Sequence, residues 1–461
     1  MTSTLTTIAG IDPRNAAVLV VGLARSGVAA LRLLAREGAV VTGTDSRALA
    51  DLPEAAAALT RAGAVFLPES SVQSDRYALV VISPGVPVDT PLLGAARAAG
   101  VPIIGEMELA SYFMAGPVSA ITGSNGKTTT TALHGHILRE AGIAAQVGGN
   151  IGTPPAAMIE TSRGDQWNVL EVSSFQLETI SHFRAGIGAC LNVTPDHLDR
   201  HGSMKAYERA KGRLFETQDE GGVAVLNADD EACVRFASLG AGRKTWFSLQ
   251  CPVSSGWWLD EGTIWHDGQR VLEAASIPLR GRHNIENVLA AASCSSLAGA
   301  PHAAIAAAVT TFPGVEHRLE FVRALDGVDF YNDSKATNVD ATLKAIDAFE
   351  GGLWVILGGK DKGSDYRPLR EPLAARARAV LLVGAAAPVI ASHLEGAVPL
   401  VDCGAIAEAV RYASGRAAPG ETVLLAPACA SFDQFESYEH RGRVFKQLVQ
   451  QLRGKGEGEG A

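Results

Sequence analysis

Short, mainly apolar runs alternate with helical stretches three separate times along the chain, and that alternation admits few folds. The first cycle, AAVLVVGLARSGVAALRLLAREGAVVTGTDSR, reads as a buried strand at Val18–Val21, a Gly-rich turn, a helix and a second strand ending at Asp45. YALVVISPGVP adds a strand and a Pro-Gly turn from Ser83 to Pro87, and VPIIGEMELA carries the alternation to about residue 107. The second cycle opens with PVSAITGSNGKTTTTALHGHILREAG: a strand at Val118–Thr122, a loop, and a helix with Leu133, Ile137 and Leu138 on one side. It runs through NVLEVSS (Asn168–Ser174) and AVLNADD to a helix around HNIENVLAAASCSSLAGA. WWLDEGTIWHDGQ interrupts it as a β-hairpin turning at Asp260 to Gly262. The third cycle follows FPGVEHRLEFV, with LWVILGG, AVLLVGAA and TVLLAPA as strands.

No internal sequence repeat accompanies the three cycles, so the pattern predicts three α/β domains, each an open, mostly parallel, doubly wound sheet with helices. The first and third read as Rossmann-like, the central one as a P-loop-like ATPase. A length of 461 residues agrees, at about 100–200 residues per domain. The expected boundaries are 1–107, 108–313 and 314–461, the last ending in a disordered tail, GKGEGEGA. Clefts between such domains are natural ligand sites.

A net charge of −9 argues against a nucleic-acid binder, so an anionic ligand must be held by local positive groups. The six cysteines are scattered singly without zinc spacing and read as reduced thiols. MTSTLTTIAGIDPRNAA has no basic, then apolar, leader pattern, and no apolar run approaches about 18 residues. The expectation is a cytoplasmic monomer with no membrane insertion.

Gly123, Ser124, Asn125, Gly126, Lys127, Thr128 and Thr129 lie between a strand and a helix, where amide groups and the helix N-terminus cradle phosphate oxygens. Lys127 then faces the β/γ-phosphates and Thr128 a Mg²⁺. The strict pattern GxxxxGK[ST] is not met, because its first glycine falls on Ile121; a plain Gly-rich strand–helix turn is the alternative. Glu171, at a strand end, is placed to complete a hard-cation site with Thr128 and water. LNVTPDHLDRH supplies Asp196, His197, Asp199 and His201 after an apolar strand, with Lys205 and Lys211 following, either as a metal-binding run or as a capped turn.

Asn284 and Asn287 stand three apart at a helix start, suited to capping or to a nucleotide base. YNDSKATNVDAT (Asp333, Lys335, Thr337, Asn338) and LGGKDKGSDY (Lys360, Lys362) bring positive charge to strand ends, as an anionic substrate requires or as solvated turns do. The turn Gly22–Gly27 has Ala24 where a dinucleotide fingerprint needs its second glycine, with Asp45 at a ribose-binding spacing of roughly 20 residues.

GSNGKTTT, GGNIG, LEVSSFQLE, LNVTPDHLDRH, GRHNIENVLAA, EHRLEF, NDSKATN, LGGKDKGSDY and LAPACASFDQFESYEHRG, in that order, resemble the Mur ligase family. The resemblance runs from about Gly22 to Gly442, and NDSKATN and PACASFDQF point to its D-glutamate-adding branch. It implies peptidoglycan-precursor synthesis. ATP phosphorylates the alanyl carboxylate of UDP-N-acetylmuramoyl-L-alanine, and the D-glutamate amine displaces phosphate through a tetrahedral intermediate. The chemistry needs charge at the γ-phosphate and reacting groups held in line.

Carried over position by position, the resemblance gives Gly123 to Thr129 the ATP phosphates, and Thr128 with Glu171 one Mg²⁺. His197 takes a second Mg²⁺, and Lys211 matches a lysine that the family carbamylates into an anionic metal ligand. Asn284, Asn287, Arg318 and Asp333 match nucleotide-holding positions, and Lys335 one near the transferring phosphoryl group. Thr337, Lys362, Ser431 and Tyr438 match the surroundings of D-glutamate, although the family often has Phe in place of Tyr438. Arg25, Ser26, Asp45, Ser46 and Gly85 match the uridine diphosphate end of the substrate, and Asn150 its muramoyl part.

Two other classes fit parts of the pattern. A nicotinamide-dependent oxidoreductase would use the Gly22 turn, and a P-loop NTPase switch would use the Gly123 loop without an amino-acid acceptor.

Overall fold

Strand Ala17–Val21 begins the first sheet because Val18, Leu19 and Val20 find apolar cover on both faces, as parallel strands require. The computed structural model describes residues 6–361 and 363–454; Lys362 and the expected disordered tail from residue 455 lie outside the described residues, as does the Asp199 side chain. Among the described residues the strands form three sheets of five, nine and six. The chain divides into two compact units, residues 1–276 with 286–312, and residues 277–285 with 313–461.

The first unit holds two of the sheets. The five-stranded one runs Val65–Phe66, Val40–Thr44, Ala17–Val21, Leu79–Ile82, Ile103–Gly105, all parallel, with the first strand in the middle as in a doubly wound fold. The helix Arg25–Arg36 packs back tightly: a Cβ at Gly27 would lie 1.8 Å from the Gly22 carbonyl oxygen, so only glycine allows the approach.

In the nine-stranded sheet Val118–Thr122 lies between Ile187–Cys190 and Trp167–Glu171. The strand expected over Asn168–Ser174 ends at Glu171 instead, because Ser173 caps the next turn and forms a reciprocal capping box with Gln176. The expected hairpin is present: Gly256–Asp260 pairs antiparallel with Thr263–His266. Its turn residues Glu261 and Gly262 both take positive φ, and a third strand, Gln269–Glu273, extends it.

Buried glutamate side chains join the two sheets of this unit. Glu108 accepts hydrogen bonds from the amides of Ser181, His182 and Phe183, and Tyr112 stacks on His182 at 4.2 Å. Glu106 accepts from the amide of Ala156 at 2.6 Å.

The second unit carries the six-stranded sheet, ordered Glu320–Leu325, Val328–Asn332, Thr422–Leu425, Leu353–Gly358, Ala377–Val383, Leu400–Gly404. The first pair is antiparallel and the rest parallel. Thr422–Leu425, late in sequence, sits between two earlier strands, which makes a topological switch point at the strand C-termini.

Candidate functional site

The loop after Val118–Thr122 is shaped by two glycines at positive φ, Gly123 (148°) and Gly126 (86°). A Cβ on Gly126 would fall 2.1 Å from Asn287 Oδ1, so this glycine lets the loop approach the helix carrying Asn287. Helix Lys127–Glu140 starts at once, which sets its N-terminus at the end of the loop, the place where a helix favours an anion. The loop is pinned from behind: Ser124 N donates to Asn192 O, and Asn125 N to Asn192 Oδ1, both at 2.9 Å. Ser124 Oγ donates to Thr194 O at 2.9 Å and lies 3.0 Å from Tyr207 OH. Lys127 Nζ folds over the loop and donates to the carbonyls of Gly123 and Ser124, both at 2.9 Å.

Beneath the loop, Thr128 Oγ1 donates to Glu171 Oε2 and Asn150 Nδ2 to Glu171 Oε1, each at 2.8 Å. Glu171 is therefore a buried carboxylate held by two neutral donors. Lys211 is 1% exposed, its Nζ donating to Gly123 O at 2.8 Å and lying 4.5 Å from the Tyr207 ring centroid. Burial, seconded by the charge of Lys127, pushes its pKa down to about 7.

His197 stands at positive φ (53°) ahead of the short helix Leu198–His201, half exposed, with Nε2 3.5 Å from Asp196 Oδ2. Phe175 packs on its ring at 4.9 Å. Behind it, Glu178 bridges Arg200 and His201 at 3.2 Å each, and Arg200 reaches the Gly85 and Val86 carbonyls. Arg200 and Glu178 were not singled out by sequence, nor were Asn192 and Tyr207.

Among the described residues no three His, Cys, Asp or Glu side chains gather as a metal cluster. A hydroxyl beside a buried carboxylate nonetheless suits Mg²⁺, which keeps several waters and takes few protein ligands besides phosphate oxygens. Thr128 and Glu171 fit that cation.

At the N-terminal sheet, Asp45 Oδ2 accepts from the amide of Leu23 at 2.7 Å, and Arg47 forks onto both carboxylate oxygens. Burial raises this carboxyl's pKa, but the Arg47 and Leu23 bonds outweigh it and hold the group below its usual range. Arg25 and Ser26 open the neighbouring helix, while Arg25, Ser46 and Gly85 are exposed.

In the second unit, Asn284 Nδ2 donates to Arg280 O at 2.7 Å. Asp333 is buried with Oδ1 lacking a hydrogen-bond partner; burial pushes its pKa up to about 6 against the pull of Arg318, the Leu319 amide and Lys335. Lys335 N donates to His317 O at 3.1 Å, and its Nζ lies 5.8 Å from the Tyr438 ring centroid. Thr337 is half-buried, and Ser431 is buried at the start of a turn whose carbonyl takes the amides of Gln434 and Phe435. Ala428 N donates to Ala336 O at 2.9 Å, and Ser334 Oγ to Tyr438 O at 2.8 Å. The segments bearing Asp333, Lys335, Thr337, Ser431 and Tyr438 are thus tied together.

Residues 16–105 match the family model of the Mur ligase MurD-like N-terminal domain, 121–295 that of the Mur ligase middle domain, and 317–429 that of the Mur ligase glutamate ligase domain. The chain is 60% identical over 437 residues to a UDP-N-acetylmuramoylalanine--D-glutamate ligase of Solibacter usitatus, covering 95% of this chain and 98% of that one. The protein of the same name from Acidobacterium capsulatum is 53% identical over 445 residues, covering 95% and 96%. Among solved structures, the UDP-N-acetylmuramate-alanine ligase MurC of Thermotoga maritima superimposes with a TM-score of 0.61 at 19% identity, covering 94% of this chain and 99% of that one. A pseudomurein peptide ligase type C from Methanothermus fervidus gives 0.59 at 18%, covering 95% and 100%; at these identities the likeness is one of fold.

Proposed function

The chain belongs to the Mur ligase family, and from that premise we propose that it joins D-glutamate to UDP-N-acetylmuramoyl-L-alanine at the expense of ATP. It is an ATP- and Mg²⁺-dependent ligase of peptidoglycan-precursor synthesis. The observation that carries the reading is the Thr128–Glu171 pair lying under the Gly123–Thr129 loop.

The chemistry has two steps. An oxygen of the alanyl carboxylate bonds to the γ-phosphorus of ATP as the bond to the β-phosphate oxygen breaks, leaving ADP and an acyl phosphate. The neutral amine of D-glutamate then bonds to the acyl carbon, its proton passes to solvent or a nearby base, and inorganic phosphate leaves.

Gly123 to Thr129 hold the phosphates, with Lys127 neutralising charge at the moving phosphoryl group. Thr128 and Glu171 would hold one Mg²⁺, which would supply further neutralisation there. His197 and Lys211 as a carbamate would hold a second Mg²⁺: the neutral form of the buried amine adds CO₂ and loses a proton, and the resulting anion would lie beside the Lys127 charge. Asn284, Asn287, Arg318 and Asp333 hold the nucleotide, and Lys335 faces the phosphoryl group. Thr337, Lys362, Ser431 and Tyr438 surround D-glutamate. Arg25, Ser26, Asp45, Ser46, Gly85 and Asn150 take the UDP-muramoyl substrate. The functional domains run 1–107, 108–313 and 314–461.

The protein works as a cytoplasmic monomer. No helix among the described residues is long and apolar enough to cross a membrane. The test is an acceptor screen: with ATP, Mg²⁺ and UDP-N-acetylmuramoyl-L-alanine, phosphate is released on adding D-glutamate, and mass spectrometry finds glutamate in the product. Equal turnover with L-glutamate or L-lysine overturns the acceptor assignment. ATP hydrolysis indifferent to any amino acid favours an NTPase switch.

A further inference from the structure

Arg441 is 1% exposed in the helix Tyr438–Gln451. Its Nε donates to Ser334 Oγ at 2.9 Å and its Nη2 to Ser334 O at 2.8 Å. Nη1 donates to Cys429 O and Ala430 O at 3.1 and 3.3 Å. A third segment closes on it: a Cβ at Gly359 would lie 3.1 Å from Nη1 and 2.3 Å from Ala430 O. Ser334, Gly359 and Cys429–Ala430 follow the C-terminal ends of Val328–Asn332, Leu353–Gly358 and Thr422–Leu425, three neighbouring strands of one sheet.

All four bonds run to a hydroxyl or a carbonyl, none to a carboxylate. Burying a cation is expensive even with the Asp433 carboxylate near enough to offset part of the cost, and apolar packing in its place would cost less. What a hydrocarbon side chain cannot supply is a planar fork that holds two loops at fixed spacing. Burial pushes this guanidinium's pKa down to about 10, still well above neutrality, so the charge is retained. Those loops continue into Lys335 and Thr337 on one side and Ser431 on the other, while Ser334 Oγ also ties to the carbonyl of Tyr438.

We propose that Arg441 is a positioning residue for the acceptor amino acid. It clamps the Ser334 and Cys429–Ala430 loops, fixes the spacing of Thr337 and Ser431, and biases the pocket toward an anionic acceptor. This rests on the assignment of those residues to D-glutamate.

The test is steady-state kinetics of wild type, Arg441→Lys and Ser334→Ala, varying D-glutamate, ATP and the UDP-linked substrate in turn. Arg441→Lys keeps the charge but loses the fork and raises the D-glutamate KM about tenfold, with the ATP KM within about twofold of wild type. Ser334→Ala, which removes one of the four bonds, gives the same split at smaller size and carries the test if Arg441→Lys does not fold. KM values for ATP and D-glutamate that rise together, or kcat that falls at constant D-glutamate KM, overturn the clamp. If wild type takes a different amino acid, the acceptor reading fails instead, and the clamp is judged on that acceptor's KM.

Discussion

Lys211 Nζ donates to the carbonyl oxygen of Gly123 over 2.8 Å, which sets a buried amine directly beneath the first residue of the phosphate loop. Burial and the charge of Lys127 both disfavour its ammonium form. On the proposed reading this amine adds CO₂ instead of contacting phosphate. Lys211→Ala is expected to lower turnover by about 10² or more, since a metal-ligating anion is lost. Short carboxylates added to that variant partly restore the rate, and ¹³C-labelled bicarbonate gives wild type a carbamate resonance that the variant lacks. Absence of both effects removes the carbamate without touching the ligase assignment.

In the proposed reaction Lys127 is the group whose charge meets the transferring phosphoryl oxygens. Its Nζ now caps the Gly123 and Ser124 carbonyls, so it is preorganised over the loop. Lys127→Ala should reduce kcat by about 10² or more with little change in thermal stability, because its loss falls on the transition state. Near-normal turnover means the loop has been misread.

The sheets were legible because runs such as Val18–Val21 are apolar on both faces, and Val118–Thr122 is buried throughout, as a doubly covered parallel strand requires. Asn168–Ser174 was read too long, since the Ser173–Gln176 capping box competes with an extended backbone. The Gly123 segment was legible as a strand–loop–helix junction from local context. Tyr207 and Arg441 were not: their partners Ser124 and Ser334 lie 83 and 107 residues away in sequence, and nothing local marks a tyrosine or arginine as a brace. Asp45 was legible by spacing, but its bonds to the Leu23 amide and Arg47 depend on how the turn folds.

Gly126 meets two constraints at once, a φ of +86° and the Asn287 side chain against its missing Cβ. Gly126→Ala must either unwind the first turn of helix Lys127–Glu140 or push Asn287 away. The expected outcome is an ATP Kd at least about tenfold weaker by calorimetry, with binding of the UDP-linked substrate retained. Unchanged ATP affinity shows that the loop does not set the nucleotide's position.

Glu106 is fully buried, accepts from the Ala156 amide through Oε1 and leaves Oε2 without a partner; burial pushes its pKa up to about 8. Because the folded pKa lies above the unfolded one, the folded state binds the extra proton between pH of about 4.5 and 8. Stability is therefore lost as pH rises through that window, and below it the group has no effect. Glu106→Gln keeps the acceptor for Ala156 and the neutral charge, so its thermal midpoint matches wild type near the low end of the window. At the high end it exceeds wild type by several degrees, each kcal/mol being worth about 2–4 °C in a domain of this size. Parallel midpoint curves for the two proteins across the window show that the Glu106 carboxyl is ionised throughout and that the join between the two sheets carries a buried anion.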